Sequence, residues 1–318
     1  MDESPELNAR VMALARELFA EEPRLTKLHS ENNYVCRMDF PSGLPPMVLK
    51  LAGNRFVYPA VRQEALALRR LREAGIAVPL ITHDGTDDST EPPYFVMAAV
   101  PGTDLASAIL QRLPWAADGC RSAGAFVRKL HALPLEVLDG MTPQHYGSPE
   151  RMSWRHRMFQ EAWDAADEPL REALSIVLDR LNAQLRDPRP VVTHESFVAN
   201  HVLMDGEGAF AVNDWETIRA GHAERDLACF LAALKTWLSS PPECRGSFIE
   251  GYTGGPPLEP DVQRATGDWE ITYLMNWTAF SIRQGRAEIA AQMLDLTREA
   301  AFAATRTGAC SAAGTTRT

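Results

Sequence analysis

The chain has 318 residues, of which 45% are hydrophobic and 23% charged, and a formal net charge of −10. That length suits one large or two coupled domains, and the acidic balance excludes a general nucleic-acid binder, which needs a basic face toward phosphates. No apolar run reaches the length of a membrane span, and the acidic start MDESPELN lacks a leader pattern.

In chain order, Pro5 to Phe19 reads as a helix, with Leu7, Val11, Leu14, Ala15 and Leu18 on one face. Strand NYVCRMDF, loop PSGLPP and strand MVLKLA then form a hairpin. An amphipathic helix covers Ala60 to Ala74, with Val61, Ala65, Leu68 and Leu71 spaced for burial. Val78 to His83 and Tyr94 to Val100 are extended, and Pro101-Gly102 breaks the chain. Helices are expected downstream at Gly124 to Leu133, Trp154 to Ala166, Pro169 to Arg186, Asp226 to Leu238 and Asp268 to Arg298. Two short strands, Val202 to Met204 and Ala209 to Val212, interrupt them, with Gly206 and Gly208 in the turn. The expected class is α+β. A β-rich lobe spans 1–100, and a mainly helical lobe with one hairpin spans 101–307. A small, polar, disordered tail follows over 308–318. Ligands commonly sit between two such lobes. Five scattered cysteines without a CxxC pair point to reduced thiols and a cytoplasmic setting.

Lys50 lies in VLKLA, on the face opposite Leu49 and Leu51. A lysine inside an apolar strand requires an anionic partner, and Glu64 on the next helix is the candidate. Asp214 ends the apolar strand of AFAVNDWE, where a carboxylate suits a hard divalent cation; an Asx turn is the plainer reading. His194, Glu195, Ser196, Asn200 and His201 crowd a loop between apolar runs. Asp226 reads as the N-cap of the helix that follows. Trp215, Trp237, Trp269 and Trp277 read as core or cleft wall, and Glu216, Glu224 and Glu270 as solvated surface.

In order along the chain, VLKLA with VRQEALALRRL, PPYFVMAAVPGTDL, FVRKLHAL, HESFVANH, VNDWE and GHAERDLACF resemble the motifs of the aminoglycoside phosphotransferase and choline kinase-like family. The resemblance spans about Leu28 to Leu234. It implies a two-lobed protein-kinase-like fold and transfer of phosphate from ATP with Mg²⁺ to a small-molecule hydroxyl, for which the acidic balance suits a cationic acceptor. It implies that Lys50 holds phosphates and Glu64 orients it. Met97 to Val100, with Met97 and Ala99, would line the adenine hinge. Ser30 to Asn33 would replace the glycine-rich loop, and Asp214 would bind Mg²⁺. The family motif HGDxxxxN meets HESFVANH in two registers. Without a gap, Ser196 stands at the catalytic Asp and His201 at the metal-binding Asn. Slipped by one, Glu195 is the base and Asn200 the ligand. Because Ser196 carries no charge, the alternative function is a catalytically impaired pseudokinase, or a kinase-fold protein turned to other chemistry. The sequence leaves the oligomeric state open.

Overall fold

The computed structural model describes residues 5–28, 30, 32–87, 89–141, 159–186 and 189–312, with the side chains of 5–8 and 307–312 left out. Within these residues the chain divides into two compact units. The first holds the described residues of Met1–Asp104, Glu136–Thr142 and His201–Ile218; the second holds those of Leu105–Leu135, Pro143–Asn200 and Arg219–Thr318. The 201–218 hairpin, expected with the helical lobe, groups with the first unit. The reason is pairing: β6 (Thr103–Asp104) adds to β8 (Val202–Met204), which pairs with β9 (Phe210–Val212).

The first unit is a five-stranded antiparallel sheet in the order β1-β2-β3-β5-β4, built from β1 (Arg24–Leu28), β2 (Asn33–Asp39), β3 (Met47–Ala52), β4 (Ile81–Gly85) and β5 (Tyr94–Ala98). Helix α1 (Pro5–Phe19) places Val11 and Ala15 on one sheet face, against Tyr34, Cys36, Met38, Leu49 and Leu51. Helix α2 (Tyr58–Glu73) packs on β3, β4 and β5 and buries Val61, Ala65, Leu68 and Leu71. A strand covered on both faces keeps no solvent side. Leu49, Lys50, Leu51 and Ala52 are therefore all buried, and Lys50 is the one that must be neutralised. The hairpin and both helices are as the sequence suggests. The expected strand at Val78 to His83 begins later, at Ile81, after Pro79.

The second unit is mainly helical: α3 (Leu105–Leu110), α4 (Ala116–His131), α5 (Glu168–Arg186), α6 (Ala223–Thr236), α7 (Pro242–Thr253), α8 (Pro260–Arg283) and α9 (Ala287–Ala312). A two-stranded ladder, β7 (Val191–Thr193) with β10 (Arg219–Gly221), carries the segment from His194 onward. Helices α4 and α7 approach closely. A Cβ on Gly124 would lie 2.0 Å from the Phe248 carbonyl, and one on Gly251 2.0 Å from that of Arg121. The single helix expected over Asp268 to Arg298 is two helices, because Gly285 takes a left-handed φ of +67° that closes α8. Helix α9 runs past Gly308 to Ala312, so the tail is not irregular throughout; residues 313–318, like 154–158 of the expected helix at Trp154, lie outside the described residues. Among the described residues no helix is long and apolar enough to cross a membrane.

Candidate functional site

In the first unit, helix α2 and the turn after β9 converge on Lys50 of β3, which is 5% exposed. Helix α2 supplies Glu64, 2% exposed, whose Oε2 contacts Lys50 Nζ directly. The turn after β9 supplies Asp214 Oδ1 at 3.4 Å and Glu216 Oε2 at 3.3 Å. Asp214 adopts a left-handed backbone, φ +64° and ψ +55°, which costs an Asp roughly 1 kcal/mol or more. Its neighbours hold it there. The Trp215 amide donates to Glu64 Oε1 at 3.3 Å and its indole to the Val212 carbonyl at 2.8 Å, while the Asn213 amide donates to the His201 carbonyl. Trp215 is fully buried, so the turn is pinned by the most apolar residue in it. Gln63 donates to the carbonyls of Glu216 and Ile218 at 3.3 Å each, tying α2 to the same turn.

The electrostatics follow from one ammonium among three carboxylates. Burial opposes the charge on Lys50, but Glu64, Asp214 and Glu216 outweigh it and hold the ammonium above the usual lysine range. Burial pushes the Glu64 carboxyl up to about 7, with Asp214 and Glu216 adding to the rise and Lys50 opposing it. The cluster thus carries surplus negative charge that a proton or a cation relieves. Glu64, Asp214 and Glu216 each offer an oxygen, and these lie within 4.8 Å of one another. An all-oxygen set of this span fits a hard divalent cation such as Mg²⁺. His201 Nε2 stands 3.3 Å from Asp214 Oδ2. Asn33 opens β2, and its side-chain Nδ2 donates to Glu216 Oε2 at 3.5 Å. Met97 is buried within β5, and the Ala99 amide donates to the Pro46 carbonyl at 3.0 Å, so that N–H is already engaged.

The second unit holds His194, Glu195, Ser196 and Asn200. His194 is fully buried, its ring edge-on to Phe197 at 5.8 Å and its Nδ1 3.2 Å from Ser196 Oγ. Phe197 stacks in turn on Phe126 and Phe230, and Phe230 on Phe248 at 4.1 Å. Asp226 is not the N-cap of α6; His222 holds that position, and Asp226 lies in the first turn. From there its carboxylate turns back to the loop. Oδ2 accepts the His194 amide at 2.9 Å, Oδ1 accepts the Glu195 amide at 2.7 Å, and His131 Nε2 stands 3.2 Å away. Asn200 is exposed.

Glu195 has φ +73°, the left-handed conformation that glycine takes freely. Glu216 is not solvated surface, because Lys50 draws it into the cluster. Glu270 is likewise drawn in, 3.3 Å from Arg245, with burial raising its carboxyl. Neither Gln63 nor the Asp226 anchor carries a local signal in its own stretch of chain. The Trp-X-Thr spacing after Asp214 and the second carboxylate two residues on were the available signals for Glu216.

The profile described as "Phosphotransferase enzyme family" matches residues 29–263. No curated protein sequence matches the chain. Among solved structures, the macrolide 2'-phosphotransferase of Brachybacterium faecium superposes with a TM-score of 0.60 at 20% identity, covering 89% of this chain and 97% of that one. An aminoglycoside 2'-phosphotransferase-IIIa mutant with GDP gives 0.69 at 16% identity, covering 95% and 99%. A spectinomycin phosphotransferase with ADP and spectinomycin gives 0.63 at 15% identity, covering 93% and 98%. At these identities the superpositions establish a shared kinase-like fold. With the profile covering most of its length, the chain belongs to the phosphotransferase enzyme family.

Proposed function

We propose that the chain transfers the terminal phosphoryl group of ATP, with Mg²⁺, to a hydroxyl of a small molecule. The observation that carries this reading is the convergence of Glu64, Asp214 and Glu216 on buried Lys50. Glu64 keeps Lys50 in place, and Lys50 supplies the cation for nucleotide phosphates. Asp214 and Glu216, with His201 beside them, are the residues that would hold Mg²⁺. Bound there, the ion would neutralise charge on the transferred phosphoryl group. Two of the solved relatives carry GDP or ADP, which supports a nucleotide donor. The formal charge of −10 favours a cationic acceptor by long-range attraction. A need for ATP, together with the buried free thiols of Cys36, Cys120, Cys229 and Cys244, goes with a cytoplasmic location.

Ser196 stands at the base position of the family motif and accepts a proton poorly. Losing a general base costs about 10²–10⁴-fold. Phosphoryl transfer rests mainly on positioning and charge neutralisation, so a slow enzyme is expected rather than a dead one. A second reading, a nucleotide-binding pseudokinase, draws on the same serine. The test is a thermal-shift series with ATP, GTP, Mg²⁺ and EDTA, followed by coupled ADP detection over a panel of hydroxylated small molecules. The proposal expects Mg²⁺-dependent stabilisation by nucleotide and slow ADP release with some acceptor. Stabilisation without any turnover selects the pseudokinase, and a flat series rejects both.

A further inference from the structure

The loop that carries Ser196 has an unusual residue at its turn. Glu195 takes the left-handed conformation without being glycine, and a side chain there strains the backbone. The residue is 4% exposed, and its carboxylate turns back onto β10 and α6. Oε2 lies 3.0 Å from Arg225 Nε and 3.3 Å from Arg219 Nε. Thr193 Oγ1 lies 3.2 Å from Oε1 and 3.1 Å from the Arg219 carbonyl, and its single O–H donates to one or the other. Gly221 clears the space, since a Cβ there would stand 2.6 Å from Glu195 Oε1. Arg225 is itself fixed, with its guanidinium 5.5 Å over the Trp269 ring. The Glu195 carbonyl faces Arg225 Nε at 3.5 Å and Cys229 Sγ at 3.8 Å. The Glu195 amide donates to Asp226 Oδ1, its carbonyl accepts from Arg225 Nε and Oε1 faces the Thr193 hydroxyl, while buried Oε2 has no hydrogen bond among the described residues and is held by the charges of Arg219 and Arg225.

We propose that Glu195 is a positioning residue rather than the base: ion pairs to Arg219 and Arg225 hold the strained turn that sets Ser196 and the residues after it. The chain reaches, with a clamp of charges, the backbone conformation that glycine gives without one. A carboxylate held by the Thr193 hydroxyl on β7 and by the charges of Arg219 on β10 and Arg225 on α6 cannot leave for an acceptor hydroxyl without breaking two ion pairs. This role rests on the phosphotransferase reading for its catalytic consequence, but the clamp itself is testable without turnover.

The experiment compares wild type with Glu195→Gln, Glu195→Gly and Arg225→Gln. Amide hydrogen exchange is followed across His194 to Phe197, with kcat and KM for Mg-ATP measured where turnover is found. Glu195→Gly deletes the clamp but supplies a residue that takes the left-handed turn unaided; Arg225→Gln leaves the turn residue intact and guards against a variant that does not fold. Glu195→Gln should exchange faster at these amides by about tenfold and Arg225→Gln by less, while Glu195→Gly stays closer to wild type than Glu195→Gln does. In Glu195→Gln kcat should fall about tenfold or more, because small misplacements are costly, with KM for Mg-ATP held within about twofold. The pH profile should keep its shape in Glu195→Gln. Unchanged exchange and kcat in Glu195→Gln would overturn the clamp, and loss of the acid limb in Glu195→Gln would make Glu195 the base instead. If wild type shows no turnover while exchange rises in Glu195→Gln, the clamp stands and the phosphotransferase reading fails.

Discussion

Replacing Asp226 by alanine isolates the device that joins the His194–Ser196 turn to helix α6. Asp226 is fully buried, and its two oxygens accept the His194 and Glu195 amides at 2.9 and 2.7 Å. The alanine variant leaves both N–H groups without an acceptor in a region sealed by Phe197 and Phe230. Each such group costs roughly 1–3 kcal/mol, so the loss is about 2–6 kcal/mol, a large share of the roughly 5–15 kcal/mol that holds a typical protein folded. Asp226→Asn keeps one acceptor and should lose about half as much on the same count. Urea denaturation at fixed pH, followed by tryptophan fluorescence and far-UV circular dichroism, measures both. A loss below about 1 kcal/mol in the alanine variant, or equal losses in the two, would refute the view that this carboxylate anchors the loop.

Four further outcomes follow from the same structure. Lys50→Met removes the ammonium paired with Glu64, Asp214 and Glu216, and breaking a buried pair in this way should cost about 3–5 kcal/mol at pH 8 and less at pH 5.5, read by urea denaturation. The pH dependence comes from Glu64. Its folded carboxyl titrates at about 7, above the ordinary 4.5, so its contribution is complete below about 4.5 and is lost as pH rises through about 7. In EDTA, wild type should therefore lose stability over that window, and Glu64→Gln should flatten the slope; a parallel slope in the variant would contradict the assignment. Gly124→Ala puts a methyl 2.0 Å from the Phe248 carbonyl and 2.8 Å from the Tyr252 amide, and forcing α4 from α7 should cost about 3 kcal/mol in a thermal melt. Ser196→Asp restores a carboxylate at the base position and should raise kcat by about 10²–10⁴-fold; no gain with nucleotide still bound would favour the pseudokinase.

What the sequence disclosed is what short-range pattern encodes. The helical spacing of Val61, Ala65, Leu68 and Leu71 and the alternation around Lys50 fix elements whose faces are set by burial. The pairing of Lys50 with Glu64 was legible because a buried lysine must find an anion, and only the next helix lay near in sequence. Contacts made across many residues were not. Asp226 looks like a helix cap in one dimension, and only the return of the chain brings the His194 and Glu195 amides to it from 31–32 residues away. Glu216 looked like surface because its partner, Lys50, is 166 residues distant. The split of the last helical stretch at Gly285 was missed because a single glycine inside an apolar pattern is ambiguous until its φ is known. The short strands β6, β7 and β10 have too few residues to show a period.

The most direct measurement of the central claim is the affinity for ATP by isothermal titration, with and without Mg²⁺, in wild type and in Asp214→Ala. If Lys50, Asp214 and Glu216 form a nucleotide and cation site, Mg²⁺ should tighten ATP binding to wild type by about tenfold or more, a coupling of at least roughly 1.4 kcal/mol. That gain should vanish in Asp214→Ala. Equal affinity with and without Mg²⁺ in wild type, or an undiminished gain in Asp214→Ala, would contradict the account.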